Sequence, residues 1–276
     1  MRPTAGMRQP HASGPARVRA QSSRTQIVEV RKAGKDAEFI LSVFSAKVAR
    51  TYEWINHVLT WGLDMVWRRK AVRLAGPAIQ GALLIDICTG TGETAAVLKR
   101  RSPPESTVIG VDMSLPMLIR AEAHSRASVL LFTACRADSL SLRENSADLI
   151  TISFAARNLN ITEAHLLQTF REIYRVLKPG GCLCNLETSQ PASPLIRRLF
   201  HGYVRTMVIP LGGLFSGSRK AYAYLAQTIP RFYSPETLCR ILREAGFTAI
   251  SYRKLFMGVA AIHIAHKTPG TPEYIS

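Results

Sequence analysis

The chain has 276 residues, of which 47% are hydrophobic and 20% charged, so it can form one large folded domain and is not disordered as a whole. Its 36 Lys+Arg against 19 Asp+Glu give a formal net charge of +17. No apolar run approaches the ~18 residues of a membrane-spanning helix. Five cysteines without C-x-x-C pairs indicate a reducing compartment, and we expect no bound metal.

The excess of basic over acidic residues has three interpretations. A solvated basic surface is the first, and attraction to anionic phospholipid at a membrane surface is the second. Specific binding of nucleic acid ranks last, because no recognition motif accompanies the charge. We therefore expect no specific nucleic-acid partner.

The first 35 residues are basic and lack hydrophobic periodicity. Residues 1–35 carry eight Lys/Arg and a single acid, Glu29, and are predicted to be a disordered basic tail. A mitochondrial transit peptide is the weaker interpretation, since Pro3, Pro10 and Pro15 would break its amphipathic helix. A bacterial tail, or a start assigned too far upstream, explains the segment more plainly.

Patterns along the rest of the chain predict a single α/β domain. Residues 36–74 space apolar residues at three and four, as a pair of amphipathic helices would. Short apolar runs then alternate with helical stretches, which predicts a parallel sheet covered on both faces. Two final runs meet near Met257 and Gly258 and predict an antiparallel hairpin. The expected domain, 36–268, comprises N-terminal helices (36–80), βα units (81–187), an apolar insertion (188–235) and a C-terminal helix with the hairpin (236–268), followed by a tail (269–276).

A glycine turn follows the first predicted strand. Gly90 and Gly92 let the backbone turn tightly and approach a ligand, and the helix beginning near Gly92 directs free N–H groups into the same crevice. Asp112 ends the second strand, where a carboxylate can accept hydrogen bonds from both hydroxyls of a ribose. Asp112 could instead cap the next helix.

Asp86 lies four residues before the first glycine and bears on the choice of cofactor. A diphosphate repels nearby negative charge, so a nicotinamide enzyme normally lacks an acid at this position. S-adenosylmethionine carries an α-ammonium and a sulfonium, which a carboxylate stabilises. Asp86 therefore favours a sulfonium cofactor, although an acid that holds the turn through its own backbone suits either cofactor.

Several segments together carry a family resemblance: DICTGTG, VIGVDMS, ADLITISFAARNLN, REIYRVLKPGG, AYAYLAQTI and AGFTAISYRKLFMGVAAIHIAHK. From about residue 39 to 267 the chain resembles the UbiE/MenG family of class I methyltransferases, which C-methylate demethylmenaquinone and related polyprenyl quinols. The resemblance implies a Rossmann-like, mainly parallel seven-stranded sheet with a C-terminal antiparallel hairpin and an N-terminal helical lid. It also implies S-adenosylmethionine as the cofactor.

The same resemblance assigns cofactor contacts residue by residue. Thr91 in the glycine turn and Asp112 would contact S-adenosylmethionine, and Ser153 would lie near its methionine end. Arg136 and Ala137 would fall beside the adenine. Arg136 stands where the family usually has Asp or Asn, so the contact expected there is with the backbone.

Candidate catalytic and substrate residues come from two further segments. Arg157 and Asn158 follow the fourth strand, which places them at the crevice, where they could orient a water or the quinol oxygen during deprotonation. A surface arginine and a turn-forming asparagine are the equally weighted alternative. Tyr222 and Tyr224 lie in the apolar insertion, which we expect to form a cap over a greasy substrate.

The sequence thus predicts S-adenosylmethionine-dependent C-methylation of a polyprenyl quinol, demethylmenaquinol above all. A methyltransferase acting on a ubiquinone precursor, sterol or polyketide is the first alternative, and an inactive membrane- or RNA-binding relative is the second. We expect a bacterial cytoplasmic protein peripherally bound at the inner face of the membrane, with the mitochondrial matrix as the weaker alternative. Self-association into a homodimer stays open.

Overall fold

The computed structural model describes residues 52–125, 130–208, 210 and 219–269. The predicted basic tail 1–35, the first part of the predicted helix pair (36–51), part of the predicted cap (211–218) and the tail beyond 269 lie outside the described residues. Predictions about those segments stay predictions.

Two helices precede the sheet, as expected for this part of the chain. Helix α1 spans Tyr52–Thr60 and α2 spans Leu63–Leu74. They are separated at Trp61 and Gly62, which both adopt positive φ, 55° and 73°. Helix α2 buries Trp67, Ala71 and Val72 in a core cluster shared with the central strands, because its apolar residues recur on one face.

The next segments alternate strands with helices. Strand β1 (Leu83–Ile87) leads through the glycine turn into α3 (Glu93–Arg101), then β2 (Thr107–Asp112), α4 (Leu115–His124) and β3 (Leu131–Ala134). Strand β4 (Ala147–Ser153) is followed by the short helix α5 (Ala156–Leu159), α6 (Glu163–Val176) and β5 (Leu177–Thr188). Strand β5 begins directly after α6, before the Pro-Gly-Gly sequence at 179–181. A register irregularity between Ala147 and Leu149 accommodates the extra residues.

The described chain beyond β5 forms three α-helices and the closing hairpin. Helix α7 spans Pro194–Tyr203 and continues as one π-helical stretch, Val204–Val208. Helix α8 (Arg219–Thr228) and α9 (Pro235–Glu244) lead to β6 (Thr248–Leu255) and β7 (Ala260–His266), which are joined by a tight turn at Phe256–Gly258. The predicted turn position is confirmed.

The seven strands form one sheet in the order β3-β2-β1-β4-β5-β7-β6. Strands β1 to β5 are parallel, and β7 pairs antiparallel with both β5 and β6. Apolar residues bury both faces of this sheet, and a third cluster joins α1, the π-helical stretch and α8. Among the described helices, none is both long and apolar enough to cross a bilayer.

Candidate active site

The glycine turn between β1 and α3 forms one wall of a crevice at the carboxyl ends of the strands. Gly90 and Gly92 have φ of 57° and 86°, a region that side chains disfavour. A Cβ at Gly92 would lie 3.1 Å from the Cβ of Ala121, so this glycine also lets α3 pack closely on α4. A Cβ at Gly90 would meet nothing within 4 Å, so the missing side chain leaves open space beside the backbone.

Asp86 lies behind the crevice wall and is not part of its lining. Its two carboxylate oxygens accept hydrogen bonds from the hydroxyls of Thr89 and Thr151, at 2.7 and 2.6 Å. Burial raises the pKa of Asp86 to about 6, while these hydrogen bonds oppose the shift. Asp86 therefore holds the turn through the side chain of Thr89, which borders the crevice in its place.

Asp112 borders the crevice and ties two loops together. Its Oδ2 accepts from the backbone N–H of Gly90 at 2.9 Å, and its Oδ1 accepts from that of Ser114 at 2.8 Å. Burial raises the pKa of Asp112, and the backbone donors oppose that shift. Ser114 precedes the first residue of α4, so Asp112 does not cap the donors of the first helical turn.

The opposite wall of the crevice comes from the end of β4 and the residues after it. Ser153, Phe154, Ala155, Asn158 and Leu159 line it together with the glycine turn. Asn158 is buried, and its Oδ1 has no hydrogen-bond partner among the described residues. A buried acceptor without a donor is costly, so this oxygen is suited to a bound ligand or water.

Arg136 and Ala137 are not in the crevice lining. The Arg136 guanidinium is paired with Asp138, with Nε 2.8 Å from Oδ1, and this partner holds the pKa of Asp138 low. Asp138 also contacts Nε2 of His165 at 3.1 Å. Ala137 is buried in the core. The local ion pair therefore fixes the Arg136 side chain outside the crevice lining, and the backbone contact with adenine stays a prediction.

An open apolar cavity of about 630 Å³ adjoins the crevice. Its lining includes apolar and aromatic side chains from the N-terminal helices, α7 and the hairpin tip: Leu59, Trp61, Trp67, Ile196, Leu199, Phe200, Tyr203, Leu225 and Phe256. Arg68 and Phe154 line both the cavity and the crevice. The guanidinium carbon of Arg68 lies 5.2 Å from the ring centroid of Phe154, within the range of a cation–π contact.

Arg157 lines the apolar cavity and pairs with a buried acid. Its Nη1 donates to Oε1 of Glu187 at 2.7 Å, and its backbone N–H donates to Oε2 at 3.2 Å. Glu187 also accepts from the backbone N–H of Thr188 at 2.7 Å. Arg157 Nε is buried and has no hydrogen-bond partner among the described residues. The pair thus leaves one buried donor on Arg157 available.

The two predicted substrate tyrosines lie in different surroundings. Tyr224 is half-buried, and burial raises its pKa while the charge of Arg157 opposes the shift. Tyr222 is fully buried in the cluster with Ile55 and Val204. Neither tyrosine is part of the cavity lining, so their contact with substrate stays a prediction. Helix periodicity explains the difference, because residues two apart on a helix point in different directions.

Two groups of site residues were missed by sequence reasoning. Glu187 lies near the end of the buried strand β5, which pairs with β4. An acidic residue near the end of a buried strand is the sequence signal that could have pointed to it as a site residue. The second group joins α1 and α2 to the glycine-turn helix: His57 bridges Asp64 and Glu93 at 2.7 and 3.1 Å, and Arg68 contacts Glu93 at 3.1 Å. Burial raises the pKa of Glu93.

The group of His57, Asp64 and Glu93 brings three atoms of metal-ligand type within 4.8 Å of one another. Arg68 already supplies a cation to Glu93, and Thr60 donates to Asp64 at 2.7 Å. These partners satisfy the two carboxylates without an ion. We therefore describe the group as an ion-pair network that fastens the N-terminal helices to α3.

Comparison with known proteins identifies the family. The sequence profile of the ubiE/COQ5 methyltransferase family matches residues 31–267. The chain belongs to this family. It is 37% identical over 224 residues to the demethylmenaquinone methyltransferase of Thermus thermophilus, covering 80% of this chain and 99% of that protein. It is 36% identical over 234 residues to the ubiquinone/menaquinone biosynthesis C-methyltransferase UbiE of Desulfotalea psychrophila, covering 82% and 92%.

Solved structures agree on the fold. Haemonchus contortus phosphoethanolamine N-methyltransferase 2, in complex with S-adenosyl-L-methionine, superposes with a TM-score of 0.59 at 16% identity. The match covers 86% of this chain and 60% of that one. The predicted family and the predicted class I methyltransferase fold are confirmed, and the protein is a methyltransferase.

Proposed function

We propose that this protein transfers the methyl group of S-adenosylmethionine to a ring carbon of a demethylated polyprenyl quinol, demethylmenaquinol above all, in menaquinone biosynthesis. The names of the bacterial relatives support this reaction. One observation on this chain carries the proposal: the crevice bordered by the glycine turn and Asp112 shares a wall, Arg68 and Phe154, with an apolar cavity of about 630 Å³. A methyl donor in the crevice and a lipid-like acceptor in the cavity can therefore come into contact beside these two residues.

The residues of the crevice fit S-adenosylmethionine. Asp112 offers carboxylate oxygens at the end of β2, where a ribose is bound in folds of this kind. The open space at Gly90 admits a ligand close to the backbone. Asn158 Oδ1 is a buried acceptor for a ligand hydroxyl or ammonium. When bound there, the cofactor supplies an electrophilic methyl group on its sulfonium.

The apolar cavity suits a quinol ring followed by a prenyl tail. Aromatic and aliphatic side chains dominate its lining, and the few polar groups include Arg157 and Thr188. A cavity of this kind recognises substrate mainly by burying apolar area, while a few polar groups fix orientation. A ring held against Arg157 would face the shared wall at Phe154.

Arg157 has a direct part in the chemistry we propose. A phenol ring becomes a strong carbon nucleophile only when its hydroxyl loses a proton to a base or an ordered water, so the site must also stabilise the developing phenolate. The Nε–H of Arg157 is a buried donor without a partner among the described residues, and its guanidinium is fixed by Glu187. Such a preorganised donor stabilises negative charge as it forms. The other residues of the site must hold the ring carbon in line with the methyl group.

A direct test incubates the full chain with methyl-labelled S-adenosylmethionine and a panel of reduced acceptors. The panel holds demethylmenaquinol, a demethylated benzoquinol of the ubiquinone type, a sterol and an aromatic polyketide. We expect label on the ring carbon of the naphthoquinol. Label on the sterol or polyketide alone would contradict the substrate class, and cofactor binding without transfer to any acceptor would contradict the activity.

A matched pair of variants ties the activity to the site. Asp112→Asn changes the crevice, whereas Arg136→Ala changes an arginine that is paired with Asp138 outside it. We expect transfer to fall in the first variant and to persist in the second. Equal loss in both would indicate that general destabilisation had been measured.

A further inference from the structure

Large apolar side chains are exposed around the mouth of the apolar cavity. The cavity rim, as we define it, consists of Trp61, Leu195, Leu199, Phe256 and Met257, which are 62% to 84% exposed. They come from three separate segments: the α1–α2 turn, α7 and the β6–β7 turn. Trp61, Leu199 and Phe256 also line the cavity, so the exposed surface continues into it. Contiguous apolar surface of this kind marks an interaction site.

Specific contacts hold these three segments at one end of the molecule. Thr188 at the end of β5 pairs with Ala260 of β7, which places the hairpin tip at the carboxyl ends of the parallel strands. The backbone N–H of Ser189 donates to the carbonyl of Val259 at 2.8 Å. The hydroxyl of Tyr203, the last residue of α7, donates to the carbonyl of Leu59 in α1 at 2.7 Å. The cavity rim is therefore a built surface and not a set of scattered side chains.

The backbone at two of the rim segments is unusual. Trp61, Phe256 and Met257 all adopt positive φ, at 55°, 41° and 56°. For non-glycine residues such conformations cost free energy, so the surrounding structure must hold them. Both turns expose large apolar side chains at positions where glycine or asparagine would adopt the same backbone conformation with less strain.

The charge beside the cavity rim identifies its partner. Helix α7 and the stretch Val204–Val208 contain Arg197, Arg198 and Arg205 and no acidic residue. All three arginines are exposed, and no ion pair involves them within the described part of the chain. Apolar side chains flanked by arginines suit the boundary between headgroups and acyl chains of an anionic bilayer. Two copies meeting through this surface would bring like charges together, which disfavours a dimer there.

We propose that the cavity rim docks on an anionic lipid bilayer and that the apolar cavity opens toward the lipid. Trp61 and Phe256 insert at the interface, where aromatic side chains are favoured. The arginines of α7 contact the headgroups. The inference rests on the proposed function in one respect: a substrate with a polyprenyl tail can enter the cavity while its tail stays in the membrane.

Vesicle binding by the full chain tests this surface. Binding is measured by co-sedimentation with phosphatidylcholine vesicles and with vesicles that also contain phosphatidylglycerol, at low and high salt. The rim variant Leu195→Ser with Met257→Ser changes two exposed residues that are not in the cavity lining. The control, Ile119→Ser with Leu131→Ser, changes two exposed apolar residues, one in helix α4 and one in the edge strand β3, which is the strand farthest from β6. A third variant is Arg198→Glu.

We expect wild type to prefer anionic vesicles and the rim variant to bind them about tenfold or more weakly, since two apolar side chains no longer leave water. The control should bind like wild type. Arg198→Glu should weaken binding to anionic vesicles only, and high salt should remove that difference. Turnover of a water-soluble short-chain quinol should be the same in all variants.

Three outcomes would overturn the inference. These are absence of vesicle binding by wild type, equal binding by the rim variant and wild type, and a rim variant that changes a dimer into a monomer in light scattering. If binding persists in the rim variant but is lost on deletion of residues 1–35, the basic tail makes the membrane contact. Failure of the proposed function has a different signature, which is normal rim-dependent vesicle binding without transfer to any quinol.

Discussion

Arg157 and Glu187 form a buried ion pair, with Nη1 2.7 Å from Oε1 and with 5% and 1% of the two side chains exposed. Arg157 follows β4 and Glu187 lies in the neighbouring strand β5, so the pair joins the ends of two adjacent parallel strands. Removal of either partner alone leaves a buried charge without compensation. A single substitution therefore changes stability and chemistry at once.

The first prediction separates these two effects. Arg157→Ala alone should lower the free energy of unfolding by about 3 to 5 kcal/mol, because Glu187 is left charged and buried. Adding Glu187→Gln should restore part of that loss, since the remaining amide is neutral. The kcat should stay about 10² to 10³ below wild type in both variants, because the donor to the phenolate is missing in both. Denaturant unfolding and single-substrate kinetics measure the two quantities.

Cofactor affinity serves as the control in that experiment. Arg157 is not in the crevice lining, so the dissociation constant for S-adenosylmethionine should change little. The loss of kcat should also ease at higher pH, where the quinol ionises without help. A double variant with near-wild-type kcat at neutral pH would make the pair purely structural.

The sequence was sufficient for the parts of this site that depend on strand ends. Parallel strands deliver their last residues to one edge, so Asp112 and Asn158 could be placed at the crevice from the pattern alone, and Ser153 was placed there by the family resemblance. Glu187 could not be paired with Arg157 from sequence, because that contact depends on β5 lying next to β4 and on the side-chain conformations of both residues.

For other predicted site residues, the sequence did not determine the direction of the side chain. Asp86 ends its strand as expected, but two threonine hydroxyls hold its carboxylate behind the wall. The Arg136 side chain is paired with Asp138, two residues on, and the adenine contact expected of its backbone stays a prediction. Tyr222 and Tyr224 lie in one motif, yet helix geometry buries the first and directs the second toward Arg157.

The second prediction concerns the ribose. Asp112→Ala should raise the dissociation constant for S-adenosylmethionine by about tenfold to a hundredfold, because hydrogen bonds to a charged acceptor contribute ~1.5 to 3 kcal/mol each. Asp112→Asn keeps one acceptor oxygen for Gly90 or Ser114 and should lose less. Titration calorimetry measures the affinity, and thermal unfolding checks that the loop contacts survive. Unchanged affinity in a folded alanine variant would leave Asp112 with only its loop-holding role.

The third prediction concerns Asn158. If it orients the water or the quinol oxygen, Asn158→Ala should lower kcat by about 10² with little change in cofactor affinity, since the interaction strengthens only as charge develops. Asn158 lines the crevice, and its buried Oδ1 has no hydrogen-bond partner among the described residues. The effect of the substitution on cofactor affinity is therefore measured beside its effect on kcat. A variant with normal kcat and weakened cofactor binding would reassign Asn158 from the chemical step to the cofactor.

The fourth prediction follows from the buried carboxyl of Asp86. Burial raises its pKa from 3.8 to about 6, so between about pH 4 and 6 the folded protein holds a proton that the unfolded chain has released. Stability from this group is therefore present at low pH and lost as pH rises through about 6. Ionised Asp86 should cost about 2 to 3 kcal/mol at neutral pH, at 1.36 kcal/mol for each pKa unit.

Asp86→Asn removes this titration and tests the sign. The variant should gain about 2 to 3 kcal/mol of unfolding free energy relative to wild type between pH 4 and pH 7, because only wild type acquires a buried charge. At neutral pH the same variant should bind S-adenosylmethionine more weakly, since the carboxylate behind Thr89 no longer attracts the ligand's positive charge. Below about pH 6 the two affinities should converge as wild-type Asp86 becomes neutral. Stability curves that stay parallel across this range would show that Asp86 keeps one charge state, and its tie to Thr89 and Thr151 would then be structural alone.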